Sequence, residues 1–243
     1  MILNENLNTE KTNYADGVSR QVELLVMPTP NTFENKDCMS VLPFCPDNYF
    51  DLAIVDPPYG IGFSDYERGS MGKHVKERYT KDGKKKWDYS IPDEKYFDEL
   101  FRVSKNCIVW GGNYFKLPSC QHFIFWYKKN PVDNFADGEY AWTTFKKPAK
   151  CFEYQYYGNI NSEPDRIHPT QKPVKLYKWL LQNYAKDGDL ILDTHVGSGS
   201  SLVACVEMGY KYVGYEIDKY FFEGAKRRIA NAREQFSLFG RSA

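Results

Sequence analysis

The chain has 243 residues, 42% of them hydrophobic, enough to bury one substantial core but leaving little room for a second full domain. Its 32 Lys and Arg are matched by 32 Asp and Glu, which excludes a polyanion binder working through an overall basic excess, so any nucleic-acid contact is local. Six cysteines with no Cys-x-x-Cys pair read as reduced, structural thiols, and without a signal-type segment or a membrane-length apolar run a cytoplasmic protein is expected.

In chain order, residues 1–20 are Asn-, Glu- and Lys-rich and read as a flexible N-terminal arm. Val22 to Val26 has the pattern of a short strand, Asp37 to Leu42 that of a short helix, and Asp51 to Val55 that of a buried strand ending at Asp56. Residues 60–90 turn polar and basic over a length that reads as a functional loop or a disordered one. Between Lys73 and Lys86, the cations Lys73, Lys76, Arg78, Lys81, Lys84, Lys85 and Lys86 are opposed only by Glu77 and Asp82. Tyr96 to Val103 is expected as an amphipathic helix, Cys107 to Trp110 as a strand, and His122 to Trp126 as another.

Residues 128–165 hold several prolines and many aromatics and read as an insertion with hairpin potential. Thr170 is placed to cap a helix whose stripe of Val174, Tyr177, Leu180, Leu181 and Tyr184 stops at Asp187-Gly188. The strand Leu190 to Leu192, a glycine turn, a helix over Ser200 to Met208, the strand Tyr212 to Tyr215, and a helix from Lys219 to about Arg233 complete the chain, with residues 237–243 as a tail. Strand, glycine turn, helix, strand and acid form the half-unit of a nucleotide-binding α/β sheet.

Two motifs carry chemistry. Asp193-Thr194-His195-Val196-Gly197-Ser198-Gly199-Ser200 follows a strand, and its glycines let backbone approach a ligand. Glu216, roughly 20 residues on, can accept from ribose hydroxyls. A dinucleotide fingerprint fails, because Leu202 stands where a third glycine is needed. Asp193 would repel a pyrophosphate yet could orient the cationic amino-acid tail of S-adenosyl-L-methionine. Asp56-Pro57-Pro58-Tyr59 can take both hydrogens of an exocyclic amine, one on a carboxylate and one on a backbone carbonyl, with Tyr59 as a stacking face.

With these residues the chain resembles the amino DNA methyltransferases of the permuted β class. Asp56 to Tyr59 is similar to their catalytic motif, and Asp193 to Ser200 with Tyr215-Glu216-Ile217-Asp218 to their cofactor motif. Trp110-Gly111-Gly112-Asn113-Tyr114 and His168-Pro169-Thr170-Gln171-Lys172-Pro173 also fit, the latter being similar to the segment before the cofactor strand. Thr194-His195 departs from the Pro-Phe of many relatives. The resemblance covers about residues 33–64 and 87–232.

The resemblance implies a Rossmann-like α/β methyltransferase sheet with helices on both faces and permuted motif order, forming one domain over 21–236. Asp56, Pro57, Pro58 and Tyr59 would engage the target base. Asp37, Cys38, His168, Thr170, Asp193, Thr194, Gly197, Ser198, Gly199 and Glu216 would surround S-adenosyl-L-methionine. The implied reaction methylates N6 of a flipped adenine in double-stranded DNA, as in restriction-modification, because Asp in the first motif position leans toward adenine over cytosine N4. Residues 66–87, with Lys73, Lys76, Arg78, Lys84, Lys85 and Lys86, and residues 128–165 are the expected DNA-facing insertions, and a homodimer is plausible for the class. The rivals are cytosine N4, an RNA or protein amine, and a non-catalytic DNA- or cofactor-binding subunit, whose damaged catalytic motif is not found here.

Overall fold

Every residue of the strands Leu52–Val55, Cys107–Trp110 and Leu190–Asp193 is buried, which requires cover on both faces of the sheet that contains them. The computed structural model describes residues 27–61, 91–130, 136–156, 160–161, 163–168 and 170–239. Its strands are β1 (Thr32–Glu34), β2 (Leu52–Val55), β3 (Cys107–Trp110), β4 (Phe123–Tyr127), β5 (Gly138–Thr143), β6 (Lys150–Glu153), β7 (Leu190–Asp193) and β8 (Lys211–Tyr215). They form one sheet in the order β1-β8-β7-β2-β3-β5-β4-β6. All neighbours are parallel except β5, which runs against both β3 and β4.

Alternation along each strand feeds two cores. Leu52, Ile54, Ile108, Trp110 and Ile191 pack with the helices α2 (Val174–Tyr184), α3 (Ser200–Met208) and α4 (Lys219–Phe239). Ala53, Val55, Val109, Leu192 and Tyr215 pack on the other face with α1 (Glu94–Val103) and two 3-10 turns, Cys38–Ser40 and Leu42–Phe44. The apolar stripe of α1, Tyr96, Phe97, Leu100 and Val103, faces that core, and Asp93 Oδ1 caps the helix by accepting from Tyr96 N at 3.0 Å.

From β2 the chain proceeds to β3 on one side, and from β7 to β8 on the other. The junction of β7 and β2 is therefore a topological switch point, where the carboxyl ends of strands open a crevice. Both motifs leave the sheet there.

Several expectations change. Residues 128–165 supply β5 and β6, integral strands whose ladders close the sheet beside β3 and β4, because Tyr140 to Thr143 find register only against distant partners. Thr170 does not cap α2. The first helical N–H, of Val174, donates to Glu163 Oε1 at 2.7 Å, and Thr170 Oγ1 instead meets His168 Nδ1 at 3.0 Å. The last helix continues through Ser237 to Phe239, into the expected tail. The helix expected at Asp37 to Leu42 is a pair of 3-10 turns, and β1 was not expected from its three residues. The arm 1–20, the strand at Val22 to Val26, and the basic residues Lys73, Lys76, Arg78, Lys84, Lys85 and Lys86 lie outside the described residues.

Candidate active site

The turns after β2 and β7 share a cleft of about 600 Å³, within the roughly 300–1,000 Å³ usual for small-molecule and cofactor sites. Asp56 to Tyr59, Gly111, Tyr114, Glu139, His168, Lys172, Gly197, Ser198 and Glu216 all line it. Asp56 and Glu216, 160 positions apart in sequence, reach it from strands two places apart in the sheet.

At the β2 end, both carboxylate oxygens of Asp56 are engaged. Tyr59 Oη donates to Oδ1 at 2.5 Å, and Lys172 Nζ donates to Oδ2 in a short ion pair. Lys172 is itself buried, lies 3.2 Å from Tyr59 Oη, and forms a 3.0 Å ion pair with Glu139 Oε2 on β5. The second Glu139 oxygen accepts from Lys128. Burial opposes charge on Lys172, but Asp56 and Glu139 outweigh it and hold the ammonium above its usual range. Burial would likewise raise Glu139, yet Lys172 and Lys128 bring it down to about 2. Burial and the Asp56 carboxylate keep the Tyr59 phenol well above its usual value, so it stays a donor.

The Tyr59 ring stacks on Tyr114, with centroids 4.9 Å apart and planes 11° apart. Gly111, at φ 67°, makes that packing possible: a Cβ there would sit 2.2 Å from the Tyr59 ring.

At the β7 end, Glu216 holds the glycine turn from beneath. Its Oε2 accepts from Gly197 N at 2.7 Å and its Oε1 from Asp218 N at 2.8 Å, while burial raises the carboxyl. Gly199, at φ 83°, brings the turn onto α4, where a Cβ would lie 2.9 Å from Ala225 Cβ. Asp193 is buried and accepts from His195 N at 3.0 Å and from Ser201 Oγ. Burial pushes its carboxyl up to about 7, so a cation docking beside it would restore the carboxylate. A donor set of buried acids around a glycine turn fits a nucleoside with a cationic tail. Burial also drives His195 down to about 4, and burial with Lys172 drives His168 down to about 3.

Of the residues nominated from sequence, Asp56, Pro57, Pro58, Tyr59, His168, Thr170, Gly197, Ser198 and Glu216 line the cleft. Asp193, Thr194 and Gly199 are buried and do not line it, and neither do the exposed Asp37 and the buried Cys38. Thr194 Oγ1 bonds Tyr96 Oη at 2.7 Å and His195 Nδ1 at 2.9 Å, tying α1 to the turn. Asp37 Oδ1 accepts from Met39 N at 2.9 Å, capping its 3-10 turn, and burial raises the Cys38 thiol to about 12, an inert group.

Sequence reasoning missed Glu139 and Lys128, which carry no local signal because β5 and β4 bring them in. It quoted Lys172 within a motif without giving it a role. A lysine two residues ahead of a buried helical stripe was the available clue. Arg228 of α4 was also missed. It is buried and donates to Asp165 Oδ2 at 2.6 Å, Glu163 Oε2 at 2.7 Å and the Ser198 carbonyl at 2.7 Å, so it joins the glycine turn to the segment that caps α2.

A family model described as DNA methylase, of the N6/N4 type, matches residues 113–227. The chain is 24% identical over 209 residues to YubD of Escherichia coli strain K12, described as a methylase, covering 82% of this chain and 89% of that protein. A solved complex of M1.HpyAVI with SAM superposes with TM-score 0.52 at 18% identity, over 81% of this chain and 98% of that one. The PvuII DNA methyltransferase, titled cytosine-N4-specific, gives TM-score 0.55 at 12% identity, over 85% and 92%. These superpositions show a shared methyltransferase fold.

Proposed function

We propose that the chain is an N6/N4 amino DNA methyltransferase and that it transfers the methyl group of S-adenosyl-L-methionine to N6 of an adenine flipped out of double-stranded DNA. The observation that carries the adenine reading is the carboxylate at the head of the motif: Asp56 is held between Tyr59 and Lys172 at the cleft, where the commoner cytosine form of the family has Ser.

Asp56 and the carbonyl presented by the Pro57-Pro58 turn accept the two amine hydrogens, which turns the nitrogen lone pair toward the methyl donor. When bound, S-adenosyl-L-methionine would supply an electrophilic sulfonium methyl whose C–S bonding pair would stay on sulfur, and the amine proton would leave to Asp56 or water. Glu216 and the Gly197-Ser198 backbone face the ribose side, and His168 and Thr170 the methionine side. Asp37 and Cys38 are assigned to the adenine side and Asp193 to the cationic amino-acid tail, with Thr194 and Gly199 shaping the turn. Tyr59 provides the stacking face for the base.

Lys73, Lys76, Arg78, Lys84, Lys85 and Lys86 are assigned to phosphate contact, and residues 128–165 to the side of the cleft nearest the DNA. Among the described residues no helix is long and apolar enough to cross a membrane. A cytoplasmic homodimer completes the reading, and light scattering tests its oligomeric part.

A second reading, cytosine N4, is favoured by the fold shared with the PvuII enzyme. The test of the overall reaction is transfer of labelled methyl from S-adenosyl-L-methionine to duplex DNA, RNA and peptide in parallel, with Asp56→Ala as control. Transfer to DNA that Asp56→Ala abolishes is expected. No transfer to DNA, or unchanged transfer by the variant, sinks the proposal.

A further inference from the structure

We propose that Lys172 is a positioning residue for methyl transfer: it fixes the Asp56 carboxylate from behind, and Glu139 with Lys128 holds Lys172 in place. This inference rests on the reading that Asp56 receives the target amine.

An ammonium has three hydrogens to give. Lys172 Nζ has three partners within reach: Asp56 Oδ2, Tyr59 Oη at 3.2 Å and Glu139 Oε2 at 3.0 Å. It is therefore tied to the carboxylate, to the stacking tyrosine and to a strand on the far side of β3. Its own segment is fixed in turn, since Gln171 accepts from Ile167 N and donates to Glu163, and Glu163 caps α2.

The charges close as a set. Two carboxylates, Asp56 and Glu139, face two ammonium groups, Lys172 and Lys128, so an uncharged base entering the cleft leaves none unpaired. Buried ion pairs seldom stabilise a fold as well as apolar replacements of similar volume, so this one is better explained by what it does for Asp56. With Oδ2 clamped by a buried group, Oδ1 is the oxygen that an incoming amine can take over from the Tyr59 hydroxyl. Lys172 thus sets the plane of the acceptor and leaves one lone-pair direction exchangeable.

The test uses the full chain, duplex DNA and S-adenosyl-L-methionine. Because K172M alone strands Glu139 without its main counter-charge, the double variant K172M/E139Q is measured beside it. The single-turnover rate of methyl transfer is expected to fall by roughly 100-fold or more in both, the scale for losing one preorganised electrostatic contact. Cofactor Kd and thermal midpoint of the double variant should stay near wild type, and K172R, which keeps the charge, should regain part of the rate. Should K172M unfold, the double variant decides. A single-turnover rate within about threefold of wild type in the folded variant overturns the proposal, as does a loss matched by an equal loss of cofactor affinity. D56N separates this from the parent reading: an active D56N removes Asp56 from the reaction, whereas an inactive D56N with a fully active K172M/E139Q removes Lys172 alone.

Discussion

Tyr59 and Tyr114 lie face to face, ring centroids 4.9 Å apart and planes 11° from parallel, at the mouth of the cleft that Asp56 lines. Tyr114 therefore covers the face that a target base would use. A tyrosine pair is worth about 0.5–1.5 kcal/mol and a base on an aromatic ring about 1–3 kcal/mol, so a base can displace Tyr114 at modest cost. Tyr114→Ala is expected to tighten binding of a 2-aminopurine-substituted duplex a few-fold and leave the rate of methyl transfer near wild type. Tyr59→Ala should weaken both. Fluorescence titration checks this, and a tenfold loss in Tyr114→Ala would make Tyr114 a second jaw instead.

Cofactor binding should depend on pH through Asp193. Burial holds its carboxyl at about 7, above the ordinary 3.8, so it is largely protonated at pH 6. A cationic tail beside it favours the carboxylate, so binding releases a proton below about pH 7 and affinity rises from pH 6 toward 8. His168 and His195, driven down to about 3 and 4, stay neutral across that range and add nothing. Calorimetric titration with S-adenosyl-L-methionine at pH 6, 7 and 8 should show the rise, and Asp193→Asn should flatten it.

Acid stability should depend on Glu139. Its carboxyl sits at about 2 in the fold, below the ordinary 4.5, because Lys172 and Lys128 outweigh burial. The folded value is depressed, so the stabilisation is complete above about pH 4.5 and is lost as pH falls toward 2. Thermal melts of wild type and Glu139→Gln should differ most near neutral pH and converge in acid. A difference that stays constant from pH 6 to pH 3 would contradict this.

Arg228, itself buried, ties the glycine turn to the α2 cap through a buried bond to the Ser198 carbonyl and part-buried bonds to Glu163 and Asp165. Arg228→Ala leaves those acceptors without their cation, a change that costs about 3–5 kcal/mol in buried pairs. For a domain of this size, that is a drop in thermal midpoint on the order of 10 °C. Calorimetry on the variant, with cofactor present and absent, checks it. With the cofactor seated as proposed on the turn that Arg228 braces, its binding should recover part of the loss.

The strands that carry the chemistry were legible because parallel, doubly covered strands are written as short apolar runs: Leu52–Val55, Cys107–Trp110 and Leu190–Asp193 all lie where the pattern put them. The helix Ser200–Met208 was equally plain, bounded by Gly199 and Gly209 in left-handed conformations. The strand β5 was not, because its residues, Gly138–Thr143, gain their identity from antiparallel ladders to β3 and β4 rather than from local propensity. With β5 hidden, Glu139 was hidden too, and so was the reason a lysine at 172 could be buried. The cap of α2 misled for a similar cause: Thr170 has the right chemistry and spacing, but Glu163, further from the helix in sequence, reaches Val174 N.

The most direct measurement is nucleoside mass spectrometry of duplex DNA after incubation with S-adenosyl-L-methionine and either the wild-type chain or Asp56→Ala. The expected result is N6-methyladenine formed by the wild type and absent with the variant. N4-methylcytosine as the only methylated nucleoside, or N6-methyladenine formed equally by Asp56→Ala, would contradict it.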